Sequence, residues 1–161
     1  MAQASIVGRD REVERLSEAI DNAAEGHGSV WYLTGEPGLG KSRLAEEAGR
    51  LARERGMRTF WGRCWEAGGA PAYWPWVQVL RAVLRTAEPG QTDPYLGMLA
   101  QILPELRANQ SSPDVAELGP DQARFQLMDA VSNVLADAAA RLPLVIILED
   151  LHVADVSTVL L

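Results

Sequence analysis

Eight consecutive residues, Gly35-Glu-Pro-Gly-Leu-Gly-Lys-Ser42, constrain the fold of this chain more than any other stretch. Glycines at 35, 38 and 40 let the backbone pass through conformations that side chains resist. Just before them, Val30 to Leu33 is a short apolar run rich in branched and aromatic residues, which predicts a strand. Just after them, from Lys41 to about Arg55, Leu44, Ala48, Leu51 and Ala52 recur at helical spacing, and Gly56 stands where a C-terminal cap belongs. A strand, a glycine-rich turn and a helix in that order open a parallel α/β unit, with the helix N-terminus aimed at whatever lies over the turn.

The remaining pattern extends this α/β alternation. A first helix is predicted from about Asp10 to Glu25, with Asp10 as its N-cap and Val13, Leu16, Ile20 and Ala23 on one face. A second strand is predicted over Met57 to Trp61, followed by an irregular, aromatic-rich stretch to Pro75. Helical spacing resumes at Trp76, Val77, Leu80, Val83 and Leu84, and again after Asp93-Pro94 with Leu96, Leu99, Ile102 and Leu103. Arg107 to Pro120 is expected to be a surface loop, and a long helix from Asp121 to about Arg141 is expected to bury Phe125, Met128, Val131 and Leu135. Leu144 to Leu148 is an unbroken apolar run, as a central parallel strand covered by helices on both faces requires. The expected architecture is therefore an α/β three-layer sandwich with a mostly parallel sheet and right-handed crossovers. Val156 to Leu161 resembles a helix stopped in mid-course, so the segment is expected to be truncated after the Leu144 strand.

Composition removes several classes of function. The chain has 161 residues, 47% of them apolar, and a formal net charge of −7, which runs against the basic face of a nucleic-acid-binding surface. A direct nucleic-acid contact by this segment is not expected. The one cysteine, Cys64, cannot form an internal bridge, and the opening residues lack a secretory layout, so a cytoplasmic location is expected. Membrane association is not expected either, because no apolar run approaches the roughly 20 residues a bilayer requires. Lys41 is the single lysine among the 15 basic residues, which suggests that its position needs a compact ammonium charge rather than a planar guanidinium.

The octet matches G-x-x-x-x-G-K-[ST], the phosphate-binding loop of P-loop NTPases, at every fixed position. In that geometry backbone N–H groups of Gly35, Glu36, Gly38, Leu39 and Gly40, with Pro37 shaping the turn, point at phosphate oxygens. The following helix adds about half a positive charge. Lys41 would neutralise the β and γ phosphates and Ser42 would offer its hydroxyl to Mg2+. Arg43 and Arg63 are candidate phosphate contacts, weighed against the ordinary exposed arginine. Glu149 and Asp150 place two carboxylates at the carboxyl end of the Leu144 strand, where ligands bind in open α/β sheets. One could hold the metal and the other could orient or deprotonate an attacking water.

With both motifs placed, the chain resembles the nucleotide-binding domain of AAA+/STAND-class P-loop ATPases. More narrowly, it is similar to the ATPase module of large LuxR-type bacterial transcriptional regulators. The residues that carry this are Ile6-Val-Gly-Arg-Asp10 with Glu12, Val13 and Leu16, the loop Gly35 to Ser42, Gly62-Arg-Cys64, Tyr73-Trp-Pro-Trp76, and Glu149-Asp-Leu-His152 with Ala154-Asp155. The resemblance implies ATP as ligand with Mg2+, ADP as product, Val7, Gly8 and Arg9 near adenine and ribose, and nucleotide-dependent self-association in the full-length protein. It also implies a further strand between the loop strand and the Leu144 strand, a sensor residue and a helical lid, none of which is found here. The isolated segment is accordingly expected to aggregate or to turn over ATP hardly at all. Two positions depart from the family: Val153 stands where Trp is common, and Glu149 where Asp is frequent, which leaves open which acid holds the metal.

Other residues have blander readings. Trp61, Trp65, Trp74 and Trp76 are expected to pack the irregular segment, Cys64 to be a small buried hydrophobe, His152 to make a structural hydrogen bond, and Asp155 to cap the terminal helix. Two rival functions remain in view: a small-molecule phosphotransferase and a non-hydrolysing nucleotide-dependent scaffold.

Overall fold

Leucine, isoleucine and alanine at three- and four-residue spacing set two helices back to back near the start of the chain. The computed structural model describes residues 8–67, 69–87, 93–109 and 119–161. These divide into two compact units, one running up to Thr59 with Leu142–Ile147, the other Phe60–Arg141 with Leu148–Leu161.

In the first unit, α1 (Asp10–Ala24) packs on α2 (Lys41–Glu54) through Leu16, Ile20, Leu44, Ala48, Leu51 and Ala52, with Met57 closing the cluster. Val13, Ala23, Leu33 and Val145 pack against its edge. The end of α2 is a full Schellman motif: Met57 N–H donates to Ala52 O and Gly56 N–H to Arg53 O, with Gly56 at φ 76°. Arg55 then ties the two helices, donating to Ser17 Oγ at 2.6 Å and to both carboxylate oxygens of Asp21. Asp10 is the first helical residue of α1 rather than its cap. Arg9 holds the cap position without a side-chain capping hydrogen bond to the helix's N–H groups, and Asp10 and Glu12 instead set negative charge in the first turn.

Val30 to Leu33 does not form the expected strand. Val30 and Tyr32 are 81% and 76% exposed, and only Leu33 turns into the helix-packed core. A strand exists only where a neighbour completes its hydrogen-bond ladder, and among the described residues none pairs with this run. The strands that do form are β1 (Arg58–Arg63) and β2 (Leu144–Glu149), a two-stranded sheet. The bonds from Arg58 N–H to Pro143 O and from Cys64 N–H to Glu149 O advance together along both strands, so the pair is parallel.

In the second unit, α3 (Trp74–Leu84), α4 (Asp93–Leu99) and α5 (Pro120–Arg141) enclose Val79, Leu80, Val83, Leu99, Leu103 and Val134. Helix α5 is rotated from the expected face: Val131 is buried as expected, Met128 and Leu135 are half-buried, and Phe125 is not buried. Leu127, Ala130, Val131 and Val134 are buried, while Phe125 is 70% exposed. Apolar residues lie around much of this helix, so periodicity alone could not choose the inward stripe. Pro104–Asn109 forms a 3-10 helix that takes in the start of the loop expected from Arg107 to Pro120, and residues 110–118 of that expected loop lie outside the described ones. A short 3-10 turn, Leu151–Val153, leads to α6 (Val156–Leu160), whose N-cap is Asp155, as the sequence predicts. Its carboxylate accepts from Thr158 N–H at 3.0 Å and from Tyr73 N–H at 3.3 Å. Trp76 Nε1 donates to Thr158 O, which fixes one of the clustered tryptophans to α6, whereas Trp65 is 59% exposed.

Candidate functional site

The glycine-rich loop has the backbone its residue types call for. Gly35, Gly38 and Gly40 all take positive φ, 150°, 82° and 79°, and Gly40 is the left-handed residue from which α2 springs. Leu39 N–H donates to Glu36 O, closing the turn, and Leu44 N–H donates to Gly40 O, starting the helix. Lys41 folds back over the loop, its Nζ donating to Gly35 O at 2.8 Å and Glu36 O at 3.0 Å. Among the described residues it has no carboxylate partner. Ser42 sits in the exposed first turn of α2, where backbone N–H groups have no helical acceptor. Glu36, Pro37 and Leu39 are exposed along the loop. Arg43 pairs with Glu46 at 3.3 Å, one turn along the helix.

Arg9 reaches the loop from the start of α1. One arm of its guanidinium donates to Glu12 at 2.7 Å and the other to Leu39 O at 2.8 Å. The hydrogen bond from Arg9 holds the Glu12 carboxyl below its usual range. Gly8 is described, with φ 76°, whereas Val7 lies outside the described residues. An open cleft of about 240 Å³ adjoins these groups, lined by Arg9, Glu12, Arg15, Trp31, Leu39 and Lys41 among others. On its wall the Arg15 guanidinium lies 5.0 Å from the centre of the Trp31 ring.

The acid pair belongs to the other unit. Glu149 ends β2, and Asp150 follows in the left-handed region at φ 60°, a conformation that Asp tolerates better than most residues. Arg63, at the end of β1, donates from two nitrogens to Glu149 Oε2 and lies 3.7 Å from an Asp150 oxygen. The bond to Glu149 raises the Arg63 pKa further above its ordinary value. The Glu149 side chain is 11% exposed and that of Asp150 33%. Arg63 thus serves the acids, a partnership that sequence reading missed because 86 residues separate the two. Cys64 is buried beside them. Desolvation, then the charges of Asp150 and Asp155, push its thiol pKa up, so it is a packing group rather than a thiolate. His152 lies exposed on the 3-10 turn after the strand.

These donors fit a nucleotide with a hard cation. In the first unit the loop offers positive-φ glycines, an ammonium that donates to two carbonyls, a helix start and the Ser42 hydroxyl; in the second, Glu149 and Asp150 offer carboxylate oxygens, and both kinds of oxygen are ones a hard cation accepts.

The model of the family described as AAA ATPase domain matches residues 5–161. An uncharacterized protein of Rhizobium meliloti (strain 1021) is 25% identical over 93% of this chain, which spans 16% of that relative's length. No solved structure is significantly similar to the chain.

Proposed function

The chain belongs to the AAA ATPase domain family, and from that premise we propose that it binds ATP on residues 35–42 and hydrolyses it in a Mg2+-dependent reaction. The observation that carries this reading is the loop itself: positive-φ glycines at 35, 38 and 40 leading into α2, with Lys41 folded over them. Backbone N–H groups of the loop and the first turn of α2 bind the phosphates, and Arg43 flanks them. Lys41 moves from the loop carbonyls to the β and γ phosphates, a charge-assisted contact stronger than the ones it leaves. Ser42, Glu149 and Asp150 would hold Mg2+, which when bound neutralises charge developing between those phosphates. Asp150 has the more exposed carboxylate and orients the attacking water, while Arg63 fixes the direction of Glu149. The family resemblance extends the proposal to a bacterial regulator of the STAND or LuxR type, in which occupancy by ATP or ADP biases domain arrangement or self-association. The chain's small share of its Rhizobium relative supports a role as one module of a longer protein.

Equilibrium binding of a fluorescent ATP analogue with Mg2+ and steady-state phosphate release test this in the intact protein. Lys41→Ala should weaken ATP binding at least tenfold, about 1.4 kcal/mol. Asp150→Asn should keep binding and lower turnover at least tenfold. Unchanged affinity in the first variant refutes the nucleotide site. Binding with negligible turnover in both wild type and Asp150→Asn makes the chain a nucleotide-dependent scaffold instead, and phosphate passed to an added small-molecule acceptor makes it a phosphotransferase.

A further inference from the structure

Arg9 stands where the family resemblance implies a neighbour of adenine and ribose, yet its guanidinium is spent on protein. One nitrogen donates to the Leu39 carbonyl inside the glycine-rich loop and another to Glu12, which gives the guanidinium a second, charged anchor. In a trans peptide the carbonyl and the following N–H point in opposite directions. Holding Leu39 C=O on Arg9 therefore sets the direction of the Gly40 N–H. Among the described residues nothing accepts a hydrogen bond from that N–H, so it is a donor available to an anion over the loop. Gly40 is also the residue that starts α2, and its left-handed φ of 79° has many alternatives for a residue without a side chain. An external clamp on the preceding carbonyl removes that freedom.

We propose that Arg9, anchored by Glu12, is a positioning residue for the phosphate cradle: it orients the Leu39–Gly40 peptide toward a polyphosphate rather than reading the base or ribose. This rests on the nucleotide-binding reading above. The planar fork suits this role, since two separate nitrogens must reach two acceptors at once. A lysine at 9 supplies one contact from a point charge and recovers only part of the effect.

The test compares Mg2+-ATP, inorganic tripolyphosphate and adenosine as competitors against the fluorescent ATP analogue, in the intact protein. Arg9→Ala should weaken ATP and tripolyphosphate in the same ratio, about tenfold, and leave adenosine unchanged, while Arg9→Lys restores the two anions to within about threefold of wild type. Should Arg9→Ala fail to fold, Glu12→Gln, which keeps Arg9 but replaces its charged anchor with a weaker neutral acceptor, should cost the two anions about threefold and adenosine nothing. Equal losses for adenosine and ATP with tripolyphosphate unaffected would place Arg9 on the nucleoside and overturn the proposal. So would wild-type affinities in both Arg9→Ala and Glu12→Gln. A wild-type protein that binds none of the three refutes the nucleotide reading itself, which is a separate failure.

Discussion

Gly62→Ala isolates one steric requirement of the strand that presents Arg63 to the acid pair. A Cβ built on Gly62 would lie 2.3 Å from Pro75 O, 2.8 Å from Pro75 C and 3.0 Å from Pro75 Cα. All three are backbone atoms at the start of α3, where Pro75 is fully buried, so no side chain can swing aside. Relief needs β1 or α3 to retreat by roughly an ångström, and overpacking of that kind costs typically 1–3 kcal/mol. With backbone on both sides the upper end, about 3 kcal/mol, is expected. Arg63 ends the strand and Cys64 follows it, so the shift also strains the Arg63–Glu149 pairing and the Cys64 N–H to Glu149 O bond. Hydrogen exchange of the peptide spanning β1, read by mass spectrometry on the intact protein, follows the local opening free energy. A loss of about 3 kcal/mol accelerates that exchange roughly a hundredfold. Gly28→Ala is the control, since a Cβ there meets nothing within 4 Å and the residue has no positive φ. If β1 exchanges at the same rate in Gly62→Ala as in wild type and Gly28→Ala, the close approach to Pro75 does not exist and the placement of Arg63 loses its support.

Two further outcomes follow from packing and charge. Leu127→Ala should cost about 3 kcal/mol in urea unfolding, whereas Phe125→Ala should stay within about 0.5 kcal/mol of wild type; the reverse order would put α5 on the face that periodicity suggested. Asp155→Ala should lower stability by about 1 kcal/mol at neutral pH through loss of the α6 cap. Burial raises the Asp155 carboxyl's pKa, but bonds from the Thr158 side chain and backbone and from Tyr73 N–H outweigh it and leave it below the usual value. A depressed folded pKa gives stability that is present above the unfolded value, near 3.9, and lost as pH falls through the folded one. The gap between wild type and Asp155→Ala in thermal midpoint should therefore narrow as pH drops below about 4, and a constant gap down to about pH 3 would contradict the cap.

What sequence reading could see was local. Helix α2 was legible at both ends because Gly40 and Gly56 occupy left-handed positions that few residue types accept, and Asp155 because a short acid before a helical run has one strong use. The inward face of α5 was not legible, since Phe125, Leu127, Met128, Val131, Val134 and Leu135 offer competing stripes and only the neighbours α3 and α4 decide. Val30 to Leu33 has strand composition, but pairing is a property of the partner and not of the run. The contacts that shape the candidate site were hidden for a similar reason: Arg9 to Leu39 spans 30 residues and Arg63 to Glu149 spans 86, and no spacing rule relates such positions.

The arrangement around Lys41 has a chemical corollary. Every other basic side chain of the chain is a guanidinium or an imidazole, so the one ε-amine is the one seated on Gly35 O and Glu36 O. Reagents or enzymes that acylate lysine find no innocuous target on these 161 residues, and modification of a lysine here is the same event as loss of the loop's charge. The fraction of Lys41 that an amine reagent leaves unmodified, read on the peptide that carries it, thereby measures how many loops are covered.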